Sequence, residues 1–141
     1  GEDRARLEQL AKDTGVAGSV HFAGTVDGAA KAALFASADL FVMPTRREGN
    51  SVEGFGIVFV EAGWYGVPAI GGREGGAVDA VCDGETGLLC DATNPTDVLR
   101  QIERLLGDSA LKRRLGAAAA ERARGPAQWS AAITQYLDAL T

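Results

Sequence analysis

Leu40 to Met43, four consecutive apolar residues closed by Pro44, constrain this chain more than any other stretch. An unbroken apolar strand has to be covered on both faces, as strands are in parallel sheets flanked by helices. Further strands are expected at Val20–Phe22, Pro68–Gly71 and Gly87–Cys90. Between them the apolar spacing turns helical. A helix is expected from Glu2 to Thr14, with Leu7, Leu10 and Ala11 on one face and Gly15 as its stop. The next, Ala29–Ala36, turns Leu34 and Phe35 inward. A central one runs from Gly54 or Phe55 to about Tyr65 and stops at Gly66, and a short one follows at Ala77–Val81. Asn94-Pro95 opens another that reaches about Leu106, before a pair at Ser109–Arg124 and Trp129–Leu140. Strands alternating with helices across short loops give βαβ units. The expected fold is therefore α/β, a Rossmann-like parallel sheet with helices on both faces. Residues 1–141 read as one domain.

In such sheets ligands sit beyond the carboxyl ends of the strands. The loops after Phe22, Met43 and Ile70 leave those ends, and each is polar or glycine-bearing. Composition removes several classes of partner. With a net charge of −5, nucleic acid is not the main ligand, because phosphate backbones are held by clustered Lys and Arg. The two cysteines, Cys82 and Cys90, make neither a metal site nor a disulfide framework and read as reduced core residues. His21 is the single histidine, so no His-paired nucleophile and no metal site is expected; it reads as a partly buried spacer within its strand. The Gly71-Gly72 to Gly75-Gly76 run lacks dinucleotide-fingerprint spacing, and no P-loop is present. No window of 18 apolar residues occurs, and a cytoplasmic location is the expectation.

One stretch points to a ligand. Glu53-Gly54-Phe55-Gly56-Ile57-Val58-Phe59-Val60-Glu61 is an apolar helix candidate with a carboxylate at each end. Stripping water from a carboxylate is costly unless it is paired or hydrogen-bonded. If the stretch is fully helical the two acids stand roughly 12 Å apart, about the span from sugar to ribose in a nucleotide-diphosphate sugar. The glycines lie where a helix start offers free N–H groups and a positive dipole end to an anion. One ligand along one helix fits this pattern, with hydroxyls at Glu53, diphosphate at Gly54 to Gly56 and ribose at Glu61. The plainer reading stays open: Glu53 as an ordinary helix-start charge, and Glu61 paired with an arginine.

Glu53 and Glu61 also stand in an E-x7-E pattern. Around them come Pro44-Thr45, Glu53-Gly54-Phe55-Gly56, Glu61-Ala62, Gly66-Val67-Pro68, Gly75-Gly76 and Asp83-Gly84-Glu85-Thr86-Gly87-Leu88-Leu89. In order and spacing this resembles the retaining GT-B glycosyltransferases of family GT4. The wording around Asn50-Ser51-Val52-Glu53-Gly54 is similar to that of mannosyltransferases acting on phosphatidylinositol mannosides. The resemblance implies the C-terminal, donor-binding half of a GT-B fold, lacking its first strands and the N-terminal acceptor domain. The donor would be a nucleotide diphosphate sugar such as GDP-mannose or a UDP-sugar, with no metal. It implies that Glu53 binds donor-sugar hydroxyls and is the catalytic candidate. Gly54, Phe55, Gly56 and Ile57 would lie along sugar and diphosphate, with Val58 beside them, Glu61 on the ribose, and Ala23, Gly24 and Thr25 bordering the nucleobase.

There are departures too. The family's Gly-Arg strand and Lys-bearing turn, which clamp the diphosphate, would precede Gly1. Arg46, Arg47 and Arg73 either replace them in part or are solvated loop charges, and Asp79 stands where the family often has Glu. The Val20–Phe22 strand is expected to pair beside Leu40–Met43, or a second chain to fill that edge by self-association. Membrane contact would come only through the missing half. Alone, the 141 residues are expected to be inactive in transfer. The alternatives are a non-catalytic nucleotide-sugar-binding module completed by a partner chain, a GT-B-like nucleotide-sugar epimerase fragment, or a purely structural remnant.

Overall fold

The computed structural model describes residues 2–47, 49 and 54–125. Helix α1 (Arg4–Asp13) leads to a 3-10 turn (Ala17–Ser19) and α2 (Gly28–Ser37). The remaining order is β1 (Phe41–Met43), α3 (Ile57–Trp64), β2 (Ala69–Gly72), α4 (Ala77–Ala80), β3 (Gly87–Cys90), α5 (Pro95–Gly107) and α6 (Ser109–Arg124). Two compact units result, Gly1–Leu34 and Phe35–Thr141.

In the first unit α1 carries surface ion pairs, Arg4 with Glu8 at 2.6 Å and Arg6 with Asp3. Pairs so exposed contribute little. The Thr14 hydroxyl donates to the Leu10 carbonyl at 2.7 Å and closes the last turn. On the face expected to carry Leu7, Leu10 and Ala11, Ala11 is buried while Leu7 and Leu10 are exposed. No strand forms at Val20–Phe22. Val20 is extended, at φ −114° and ψ 122°, yet extended backbone becomes a strand only where a neighbour's N–H and C=O groups meet it. His21 is accordingly exposed rather than held in a ladder. The expected pairing of this segment beside Leu40–Met43 is therefore not formed, and β1 takes its ladder from β2.

The second unit is a three-stranded parallel sheet in the order β1-β2-β3, with Phe41 opposite Ala69 and Ala69 opposite Gly87. Alternate residues supply two cores. Ala69 and Leu89 pack with Phe59 of α3, Ala77 and Ala80 of α4 and Val81, with Phe41 and Met43 beside them. Ile70, Leu88 and Cys90 pack on the other face against Leu105 of α5 and Leu115 of α6. Ile70, Leu88, Leu105 and Leu115 are all at most 1% exposed, each adding about 1.5–3 kcal/mol of transfer free energy. The Cys90 thiol donates to the Gly71 carbonyl at 3.3 Å; Cys82 is half-buried, and both are free.

Sequence-level signals set these boundaries. Asn94 Oδ1 accepts from the Thr96 and Asp97 N–H groups at 3.0 and 3.4 Å, with Pro95 in the first turn, so α5 starts where an N-cap followed by proline demands. Asp108 caps α6 through the Leu111 N–H at 2.9 Å. Leu34 is exposed, while Phe35 is buried edge-on to Phe41 with ring centres 5.6 Å apart. Trp64 is half-exposed; Arg124 lies over its ring at 5.6 Å and donates to its carbonyl at 2.9 Å. The helix expected at Trp129–Leu140 lies outside the described residues.

Candidate functional site

The site is built where β1 and β2 end. The parallel register sends both carboxyl ends the same way, so the segment after Met43 and the turn after Gly72 leave side by side. They touch backbone to backbone. A Cβ on Gly72 would lie 1.7 Å from the Thr45 carbonyl oxygen, and one on Gly76 would lie 1.8 Å from the Gly54 carbonyl oxygen and 2.5 Å from Phe55 Cα. Only glycines permit this approach. The Arg47 N–H donates to Glu74 Oε2 at 2.8 Å and ties the two loops again.

Helix α3 begins at Ile57, later than the expected Gly54 or Phe55. Gly56 sits at φ 74° and ψ 54°, in the left-handed region, which ends any right-handed helix passing through it. Gly56 is thus the N-cap, with no side-chain cap among the described residues, and the first turn closes with Phe59 N–H to the Gly56 carbonyl at 2.9 Å. The N–H groups of Ile57 and Val58, which precede that bond, have no earlier helical turn to meet and lie at the positive dipole end. Phe55 is 44% and Ile57 66% exposed around that end, while Gly56 is buried. Glu61 lies one turn further along α3, about 6 Å in rise from Ile57, and is half-buried.

Gly54, Phe55, Gly56 and Ile57 are thus brought together at the helix start, with Val58 partly buried just inside it and Glu61 down the same helix. Glu53 lies outside the described residues, as does Asn50–Val52. Ala23, Gly24 and Thr25 belong to the first unit, where all three are exposed, and Gly24 sits in the left-handed region at φ 70°. Asp79 is exposed on α4, its carbonyl accepting from Arg122 at 2.9 Å.

A second feature at the strand ends brings together two arginines that the sequence offers only as partial clamp replacements or solvated loop charges. Arg46, Arg73, Glu74, Asp91, Ala92 and Thr93 line an open cavity of about 450 Å³. They come from the loops after β1, β2 and β3. The Arg73 guanidinium donates to the Leu89 carbonyl at 3.0 Å and to Asp83 at 3.3 Å. The Thr93 hydroxyl and N–H both donate to Asp91 Oδ1, at 2.6 and 2.9 Å, holding that carboxyl below its ordinary range. Three separate loops supply these groups, so no single motif announces them. Among the described residues, no group of three or more His, Cys, Asp or Glu is placed to hold a metal ion, and no helix is long and apolar enough to cross a membrane.

Known proteins are similar to this chain in sequence and fold. The GDP-mannose-dependent alpha-(1-6)-phosphatidylinositol monomannoside mannosyltransferase of Mycobacterium tuberculosis is 40% identical over 136 residues, covering 95% of this chain and 35% of that protein. The chain thus spans about a third of the length of that curated relative. The sucrose-phosphate synthase of Thermosynechococcus elongatus superposes with a TM-score of 0.82 at 30% identity, over 100% of this chain and 36% of that one. The C-terminal domain of a glycosyl transferase group 1 family protein from Francisella tularensis superposes with a TM-score of 0.78 at 20% identity, over 91% of this chain and 64% of that one, and speaks for the fold alone. The architecture is that of a partial C-terminal region of the GT-B fold. Residues 1–122 match the family described as glycosyl transferases group 1, and the chain belongs to it.

Proposed function

We propose that residues 1–141 are the donor-binding region of a retaining glycosyltransferase that moves a hexose from a nucleotide diphosphate sugar to a phosphate-bearing acceptor. The observation that carries this reading is the meeting of Gly54 and Gly76 at the uncapped start of α3. A floor made of backbone admits a bulky anion to the N–H groups and dipole of a helix end. The family supports the reaction class. The Mycobacterium tuberculosis relative is named for GDP-mannose and for a phosphatidylinositol monomannoside, and both that name and sucrose-phosphate synthase contain a phosphate.

In this reading the N–H groups around Phe55 to Val58 take the negative charge that gathers on the departing diphosphate, where fixed donors lower the barrier most. Glu53 orients the hydroxyls of the donor sugar as its ring becomes oxocarbenium-like. Glu61 accepts the ribose hydroxyls, and Ala23, Gly24 and Thr25 border the base through backbone groups. A metal ion is not needed at the diphosphate. Calorimetric titration of the purified chain with GDP-mannose, GDP and UDP-glucose tests the proposal. At least one of them is expected to bind, with Glu61→Ala weakening it about tenfold, near 1.4 kcal/mol for a lost charge-assisted hydrogen bond. Binding of none, with the fold intact by circular dichroism, would refute the donor reading. Unchanged affinity in Glu61→Ala would refute the ribose assignment.

A further inference from the structure

We propose that Glu74 is a positioning residue of the donor site: its carboxylate holds the segment that leads from β1 to α3, and so sets where the backbone of Gly54 to Gly56 meets an anion. The placement of an anion there rests on the donor reading above; the tie between the two segments does not.

Glu74 stands on an anchored base. The Arg73 N–H donates to the Cys90 carbonyl at 3.0 Å, and the Arg73 guanidinium donates to the Leu89 carbonyl and to Asp83. The residue before Glu74 is thus fastened to the end of β3. After it, Gly75 lies in the left-handed region at φ 65° and turns the chain into Gly76, whose carbonyl accepts from the Asp79 and Ala80 N–H groups of α4. From this turn the Glu74 side chain reaches 27 positions back along the sequence and accepts the Arg47 N–H at 2.8 Å.

The two segments meet three times, in the same order along each: Thr45 on Gly72, Arg47 on Glu74, and Gly54 on Gly76. The first and third meetings are van der Waals contacts, which stop the backbones from coming closer but resist separation weakly. The second is a hydrogen bond to a charged acceptor, which resists separation. The Thr45 hydroxyl, beside the first contact, is buried and has no hydrogen-bond partner among the described residues, so it adds no tie of its own. Glu74 supplies the attraction and the glycines set the limit of approach. Its charge acts the other way, since like charges repel and Glu74 stands two positions from Gly76. Substitution separates the two effects.

Glu74→Gln keeps an oxygen for the Arg47 N–H and loses the charge; Glu74→Ala loses both. Glu74 is exposed, so both variants are expected to fold, which circular dichroism checks. Nitrogen-15 amide spectra of the 141-residue chain and of both variants are recorded without ligand and then during titration with GDP. In Glu74→Ala the signals of Arg47, Gly54, Phe55 and Gly56 are expected to move, and GDP affinity to fall about fivefold, as for one lost hydrogen bond. In Glu74→Gln the Gly54, Phe55 and Gly56 signals are expected to stay in place, with GDP bound as tightly as by the parent or more tightly. Signals of those three residues that stay in place in Glu74→Ala overturn the proposal whether or not GDP binds. So does a Glu74→Ala affinity within about twofold of the parent, or an equal change in both variants, which the charge alone would produce. If those signals move in Glu74→Ala alone while no chain binds GDP, the tie stands and the donor reading falls.

Discussion

Replacing Gly76 with alanine separates the site from the scaffold. Gly76 has φ −71° and ψ −5°, which alanine adopts without strain, so any effect comes from the added methyl group. That carbon would lie 1.8 Å from the Gly54 carbonyl oxygen, where contact needs about 3.5 Å. The Gly54–Phe55 backbone must then retreat by about 1.7 Å, or α4 must shift. Overpacking of this kind costs about 1–3 kcal/mol, and at about 3–4 °C per kcal/mol it lowers the melting temperature by about 3–12 °C. A displacement beyond 1 Å in a segment that meets the ligand costs up to about 100-fold in function. Gly116→Ala is the control. Its Cβ would meet the Gly66 carbonyl oxygen at 2.2 Å, between α6 and the end of α3, far along the helix from Gly56. Gly116→Ala is expected to lower the melting temperature comparably while the folded fraction keeps its nucleotide affinity. Gly76→Ala is expected to lose both. Differential scanning calorimetry and nucleotide titration of the two variants decide the matter. A Gly76→Ala chain that melts within 1 °C of the parent and binds GDP equally well would refute the close-packed floor.

Other consequences follow from the same structure. Asn94→Ala removes the cap of α5 and is expected to cost about 1 kcal/mol in urea unfolding, with the slope unchanged. The Asp97 carboxyl is held below its usual range, first by the Asp91 N–H and then by Gln101 and Arg100. A depressed folded-state value means its contribution is present above about pH 4 and is lost as the pH falls further. Urea melts from pH 7 to pH 2.5 should show that loss, and Asp97→Asn should flatten it; an equal slope in the variant would contradict the assignment. Burial pushes the Cys90 thiol up from its ordinary value, so disulfide reagents should modify half-buried Cys82 first and Cys90 only on unfolding.

Much of the second unit is legible in the sequence because its signals are local and agree. The Gly87–Cys90 run falls on β3, Asn94-Pro95 on the start of α5, and Ser109 to Arg124 on α6. Where a signal depends on distant partners, the sequence misleads. Val20-His21-Phe22 has strand-forming residues, but strand formation needs an edge to pair with, and none is written into the segment itself. Leu7 and Leu10 carry a helical period, yet period alone does not say that anything covers the face. The start of α3 falls two or three residues later than expected because Gly56 reads equally as an early helical glycine and as a left-handed cap. Gly54 and Gly76 are 22 positions apart, and their contact follows only from the pairing of β1 with β2. The Arg46–Arg73 cavity was hidden for the same reason: the sequence offers both arginines only as loop charges or partial clamp replacements, and the strand register brings their loops together.

The direct test of an anion held at the start of α3 is an amide chemical-shift titration of the nitrogen-15-labelled chain with GDP. The largest shifts are expected at the N–H groups of Gly54, Phe55, Gly56, Ile57 and Val58, saturating together. Saturable binding whose shifts spare all five would contradict the placement of the diphosphate there.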